Sequence, residues 1–348
     1  MRILSIDTSC DETSVAVTER RRVLSNVIYS QILIHKKWGG VVPSLAKRAH
    51  EERIDLVIRE AIRKLRVRSY ELGVKKLDYI AVTQGPGLAV ALEVGINKAK
   101  ELAKKYNKKL IAVNHMEGHI YSCFVQNSQG NPKHDFQFPY LALLISGGHT
   151  ELVIFKDHLR YEVIGQTIDD AAGEALDKAA KMLGLGYPGG IVIERLAVEV
   201  GNEDFYKFPR PMTSSDSLDF SFSGLKTAFY YYIKKSVTTT LSTPDVRRLA
   251  SSFQEAVFDT LIIKTEKAIK KTKINRLVVG GGVIANLYLR KKLRELVKKH
   301  NGSVLFPPYQ YLTGDNAAMI GVVAHFKAEK EIFVKNIDDL DRIPRMSL

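Results

Sequence analysis

Residues 139–156, PYLALLISGGHTELVIFK, decide the fold. An apolar run enters a tight turn at Gly147-Gly148 and a second apolar run leaves it, which is a hairpin signal. Residues 2–19, RILSIDTSCDETSVAVTE, follow the same plan around a polar turn. Each unit leads into alternating helices and strands. After the first come HEERIDLVIREAIRKLR (50–66) with helical apolar spacing, LDYIAVTQGPG and a helix, then KLIAVNH. After the second come DDAAGEALDKAAKMLGL, a helix that Thr243 caps and Pro244 begins, and INRLVVGGGVIANLYLRKKLREL as strand, glycines and helix. The pattern predicts a duplicated α/β architecture, two similar lobes facing each other across a cleft. The break QNSQGNPKHDFQF (126–138) puts residues 1–120, with the last helix from about 320 to 348, in an N-terminal lobe and 121–319 in a C-terminal lobe.

Composition narrows the class. The chain has 348 residues, 45% hydrophobic and 26% charged, enough for two domains with sizeable cores. Two cysteines, Cys10 and Cys123, imply no disulfide framework. The N-terminus reads as a strand and not a signal peptide, and no apolar run approaches the roughly 18 residues a membrane span needs. A cytoplasmic protein without membrane contact is the simplest expectation. The net charge of +14, with lysines clustered in KELAKKYNKK, KAIKKTK and LRKKLRELVKKH, suits a nucleic-acid partner or a lysine-rich solvated surface.

Three loops join strands to their neighbours with small or polar residues: DTSCDET, ISGGHT and VVGGGVIAN. Their amides can approach an anion closely, so together they suggest a nucleotide cleft, although none matches a P-loop or a dinucleotide fingerprint. In NHMEGH (114–119), His115 and His119 sit one helical turn apart. The pair alone fits either a metal site or two unrelated histidines. A zinc protease is disfavoured: Met116 stands where the general-base Glu belongs, and Glu117 falls on the far side of the helix. Asp315 in LTGDNAAM, at the start of a helix, is either an N-cap or a third ligand completing a two-imidazole, one-carboxylate set suited to iron(II) or zinc.

The motifs together resemble the TsaD/Gcp family, which makes N6-threonylcarbamoyladenosine in tRNA and was once described as glycoproteases. DTSCDETS, GGVVPSLAKRAH, TQGPGL, NHMEGH, LLISGGHTEL, DDAAGEALDKAAKMLGLGYPGG, DFSFSGLKTA, GGGVIANLYLR and LTGDNAAMIG carry the resemblance, with SGGHT and FSFSGLKT closer to bacterial and organellar members than to the KEOPS-complex subunit. It implies the actin/Hsp70/sugar-kinase fold, with two lobes around a nucleotide cleft. It further implies transfer of the threonylcarbamoyl group from threonylcarbamoyl-AMP to N6 of the adenosine 3′ of the anticodon, in tRNAs reading codons that begin with A.

By the same resemblance His115, His119 and Asp315 hold one divalent metal, Fe(2+) or alternatively Zn(2+). Leu144, Ile145, Ser146, Gly147, Gly148, Asp177, Gly190, Glu194 and Asn286 contact substrate, and Asp11 and Glu12 lie beside the reacting centre. The implied partners are tRNA, a TsaB-like paralogue and a TsaE-like ATPase. The chain departs from the family in Ile191, where GGP is usual, and in AVALEVGINKAK after GPGL. Two other readings share these features: a small-molecule kinase or ATPase of the same fold, which would not need the His pair, and a nucleotide-sensing nucleic-acid-binding protein.

Overall fold

The computed structural model describes residues 1–66, 69–236 and 242–348. The chain forms two compact units, Met1–Gln137 with Phe306–Leu348, and Phe138–Leu305. The first is therefore discontinuous, its closing segment arriving after the whole of the second.

In the first unit the sheet has the order β3-β2-β1-β4-β5, from β1 (Arg2–Asp7), β2 (Glu12–Glu19), β3 (Arg22–Ser30), β4 (Tyr79–Gly85) and β5 (Lys109–Asn114). β1, β2 and β3 pair antiparallel, and β4 and β5 continue parallel to β1. The helices are α1 (Ile32–His35), α2 (Pro43–Arg63), α3 (Tyr70–Lys75), α4 (Ala89–Lys105) and α5 (His115–Tyr121). α2 starts earlier than its apolar spacing suggested, because Pro43 fits the first turn, where its missing N–H costs nothing. Ile54, Val57, Ile58 and Ile62 of α2 pack with Leu92 and Ile96 of α4 on Leu4, Ile6, Val15 and Val17 of the sheet. Each such side chain contributes about 1.5–3 kcal/mol of burial.

The second unit repeats the plan. β6 (Tyr140–Ile145), β7 (Thr150–Asp157), β8 (Arg160–Gln166), β9 (Arg276–Gly280) and β10 (Ser303–Leu305) take the order β10-β9-β6-β7-β8. Again the first three pair antiparallel and the last two run parallel to β6 and to each other. Its helices are α6 (Ala172–Met182), α7 (Gly189–Val198), α8 (Ser223–Ser236), α9 (Thr243–Thr272) and α10 (Leu287–Lys299). The cap of α9 is Ser242, one residue before the expected Thr243; its hydroxyl accepts the Asp245 amide.

α11 (Ala317–Glu329) belongs to the first unit, as the predicted return of the last helix required. It is apolar on nearly every face and lies against β1 and β2, where the Ser5 hydroxyl donates to the Ala317 carbonyl and the Ala317 amide donates to Ser14 Oγ. The lobe boundaries differ from those read in the sequence at 120 and 320. Residues 121–137 stay with the first unit because Tyr121, Phe124 and Val125 are buried and Gln126 bridges Arg22. The segment 306–319 does so because it leads into α11.

Candidate metal centre and nucleotide pocket

In the first unit β5 ends at Asn114, whose side chain caps α5 by accepting the Met116 amide at 2.8 Å. The helix that follows carries His115 and His119 on one face, both buried, their rings edge to face at 4.6 Å. Gly118 lets α5 press against α11: a Cβ there would lie 3.0 Å from Met319 and Ile320 side-chain carbons. That approach brings the turn before α11, with Asp315, onto the histidines.

Asp315 Oδ1 lies 3.2 Å from His115 Nε2 and 3.3 Å from His119 Nε2. The geometry fits a common ion. Donors about 2.0–2.2 Å from one metal at tetrahedral or octahedral angles stand about 2.8–3.6 Å apart. The buried ring nitrogens of His119 make no hydrogen bond, which a ligand at Nε2 would remedy there. Among the described residues this is the one His, Cys, Asp and Glu cluster whose donor atoms come within 4.8 Å of each other.

Around it stand residues that sequence reasoning missed. Asp7, at the end of β1, is buried with Oδ2 3.5 Å from His115 Nδ1, where a carboxylate orients an imidazole ligand. The Ser9 hydroxyl faces Asp315 Oδ2 at 3.5 Å. The N-cap of α11 is Asn316, which accepts the Met319 amide at 3.1 Å. Asp315 is thus free of the capping role. Burial pulls the His115 imidazole down, but Asp315 and Asp7 outweigh it and hold it well above its ordinary range. His119 is lowered by burial and by its positive neighbour His115. Burial would raise the Asp315 carboxyl, yet the two histidines hold it well below its usual value.

In the same unit Asp11 ends the β1–β2 turn and Glu12 opens β2. The Asp11 carbonyl accepts the Gln31 amide at 2.9 Å, and Ser30 Oγ donates to Glu12 Oε1 at 3.2 Å. Burial, Asp11 and Asp315 together push the Glu12 carboxyl well above its ordinary value. His50 of α2, within GGVVPSLAKRAH but not singled out by its spacing, holds this turn. Its Nε2 lies 3.0 Å from the Cys10 carbonyl and its Nδ1 2.8 Å from Thr13 Oγ1. A carbonyl only accepts, so Nε2 carries the proton and Nδ1 accepts from Thr13. Burial lowers the His50 pKa, in keeping with that neutral form. Glu117 points elsewhere, pairing with Lys327 of α11 at 3.0 Å, as the helical spacing required.

The second unit holds a pocket of about 230 Å³. Gly147, Asp177, Gly190, Glu194 and Asn286 line it, with Leu176, Pro188, Ile191 and Val283 supplying apolar wall. Asp177 Oδ1 accepts the Gly189 and Gly190 amides at 2.7 and 3.1 Å, fixing the start of α7. Glu194 Oε1 accepts the Leu287 amide at 3.0 Å, and burial raises its carboxyl. Asn286 caps α10 through the Leu289 amide and donates to Gln254 Oε1. Ser146 Oγ accepts the His149 amide at 3.0 Å and shapes the turn, leaving Gly147 and Gly148 exposed.

Leu144 and Ile145, which the resemblance put at the substrate, precede that turn in the chain. Both are wholly buried in β6 between β7 and β9 and lie outside the pocket lining. Ile145 instead sets the floor of the adjoining turn. Gly281, at φ +98°, passes so close that a Cβ would sit 2.4 Å from the Ile145 carbonyl oxygen.

The repeated sheet plan defines a duplicated α/β protein of the actin, Hsp70 and sugar-kinase type. Two solved HypF structures share the fold. One, full-length in its phosphate- and nucleotide-bound form, matches with TM-score 0.60 at 15% identity over 96% of this chain. The other, from T. kodakarensis, matches with TM-score 0.61 at 15% identity over 94%. The chain spans 56% and 48% of those proteins, and the likeness concerns fold alone. The sequence goes further: the model of the TsaD family, tRNA N6-adenosine threonylcarbamoyltransferase, matches residues 22–322, and the chain belongs to that family. Relatives bearing that name include proteins of Thermosipho africanus, 45% identical over all of both chains, and of Staphylococcus aureus, 46% identical over 93% of this chain and 91% of the relative.

Proposed function

We propose that this chain transfers the threonylcarbamoyl group from threonylcarbamoyl-AMP to N6 of the adenosine 3′ of the anticodon in tRNAs reading codons that begin with A. The observation that carries the reading is identity of 45% over the full length of a tRNA N6-adenosine threonylcarbamoyltransferase. In the reaction the N6–carbamoyl bond forms, the bond from the carbamoyl carbon to the phosphate oxygen breaks, AMP leaves and N6 gives up a proton.

His115, His119 and Asp315 would hold the divalent metal. Two imidazoles and a carboxylate suit Fe(2+), with Zn(2+) the alternative. Such an ion supplies Lewis-acid polarisation and a template for the adenylate. Asp7 fixes the His115 ring by facing its second nitrogen. An adenine amine is a weak nucleophile, so positioning carries most of the rate. Asp11 or Glu12 would take the proton from N6, directly or through water. Gln31 and His50 pin the strand connection that carries the pair.

The pocket lined by Glu194 and Asn286 is smaller than the ~300–1,000 Å³ of typical whole-ligand sites. It would take one part of the adenylate, with Ile191 and Val283 against a base and the carboxylates of Asp177 and Glu194 toward ribose hydroxyls. Gly147 and Gly148 present an exposed turn for phosphate or developing oxyanion charge. The reading places the chain in the cytoplasm with tRNA. It gives the chain a TsaB-like paralogue and a TsaE-like ATPase as accessory partners.

The test is incubation with threonylcarbamoyl-AMP and unmodified tRNA, with and without those partners, followed by nucleoside analysis of the digested tRNA. Threonylcarbamoyladenosine formed only with this chain present supports the reading. Its absence in every combination, with ATP turnover on a small molecule instead, would favour a kinase of the same fold.

A further inference from the structure

The segment between β3 and α2, residues 31–42, contains the short α1 and an exposed stretch after it, built on buried anchors. Gln31 is fully buried, and its amide donates to the Asp11 carbonyl in the acidic turn. His35 is also fully buried. Its Nε2 faces Gln31 Oε1 at 3.1 Å and its Nδ1 accepts the Val42 amide at 3.3 Å. The imidazole therefore ties the two ends of the loop together. Between these anchors the chain presents Lys36, Lys37 and Trp38 to solvent, followed by Gly39 in a left-handed conformation at φ +64°.

Trp38 is the chain's single tryptophan and is 65% exposed. An indole held at the surface gains nothing from the core. A large flat ring flanked by two cations suits a single-stranded nucleic acid, whose bases stack on aromatic rings while its phosphates meet lysine. The first residue of this segment, Gln31, is hydrogen-bonded to the Asp11 carbonyl, which ties the base of the segment to the strand connection that carries the acidic pair.

We propose that Trp38 is a stacking platform for an unpaired base of the tRNA anticodon loop, with Lys36 and Lys37 engaging the adjoining phosphates, so that residues 36–38 position the target adenosine. This rests on the reading of tRNA as substrate.

The lone indole makes the test direct. Trp38 emission is followed while unmodified tRNA, an isolated anticodon stem-loop or an acceptor-stem minihelix is added to the full chain. The expected result is quenching by the first two and little by the third. Trp38→Ala should raise KM for tRNA about fivefold or more, in line with alanine substitution at stacking aromatics, and leave KM for the adenylate unchanged. Trp38→Phe should restore most of the loss. Lys36→Gln with Lys37→Gln should flatten the dependence of log affinity on log salt by about 0.7 for each phosphate contact removed. Unmoved emission together with an unmoved tRNA KM in Trp38→Ala overturns the proposal. So does emission that shifts with an accessory protein and not with tRNA, which would assign the surface to a protein partner. Transfer by the unaltered chain, measured alongside, judges the transferase reading separately.

Discussion

Asp315 and Asn316 are neighbours in sequence, yet Asn316 alone caps α11 while Asp315 faces the two histidines, and the proposed division of ligand and cap can be measured. Asp315→Asn and Asn316→Ala should have opposite signatures in urea denaturation run once in chelator and once in excess Fe(2+) or Zn(2+). Asp315 Oδ1 faces both histidines, so the amide removes the charge that would hold a dication. A hundredfold loss of affinity removes about 2.7 kcal/mol from metal-linked stabilisation while metal stays in excess. Asn316 accepts the Met319 amide and donates to the Gly314 carbonyl. Its loss should cost about 1 kcal/mol in chelator, the usual value of an N-cap, and leave the gain on adding metal as in the unaltered chain. Scoring the gain, and not the baseline, cancels whatever Asp315→Asn does to the metal-free pairing with His115. If Asp315→Asn keeps the full metal-linked gain, or Asn316→Ala loses it, the three-donor centre is wrong.

Other expectations follow from the same geometry. Glu117→Gln keeps a hydrogen-bond acceptor for Lys327, so metal content by elemental analysis should be unchanged and stability should fall by no more than about 1–2 kcal/mol. In metal-free protein the folded-state pKa of His115 lies above its unfolded value near 6.5. Its contribution to stability is therefore complete below that value and is lost as pH rises through the folded one; a pH series of denaturation in chelator should show that loss, and Asp315→Asn should flatten it. Asp177→Ala orphans the Gly189 and Gly190 amides at the start of α7 and should weaken adenylate binding, read by isothermal titration, with metal content intact.

The duplication was legible because both hairpins advertise themselves: apolar strands of strict length around a polar or glycine turn leave few other folds. The histidine pair was legible as a chelating spacing but undecidable alone. Asp315 lies far along the chain, and an Asp at a helix start reads equally well as a cap. Only the fold shows Asn316 doing the capping. Asp7 and His50 gave no signal, since one looks like a strand-end polar residue and the other like a histidine on a helix. Their roles come from what β1 and α2 are packed against. The boundary near residue 120 misled because QNSQGNPKHDFQF has the composition of a linker, while the contacts that keep it in the first unit, Gln126 to Arg22 and the buried rings of Tyr121 and Phe124, are long-range or precede it. Leu144 and Ile145 were placed at substrate by family likeness alone; their burial in β6 gives their side chains no part in the pocket lining.

The interruption of the first unit by the second has a consequence for how the protein is made. During synthesis His115 and His119 emerge early, but Asp315 and α11 follow only after the whole second unit has left the ribosome. The second unit can close on its own residues as they appear, whereas the first must wait with β1 and β2 uncovered where α11 will lie. A nascent or prematurely terminated chain therefore carries the two imidazoles without Asp315, so the proposed three-donor set is incomplete. If the proposed centre binds metal, capture is a late event in biogenesis, confined to chains long enough to finish the fold.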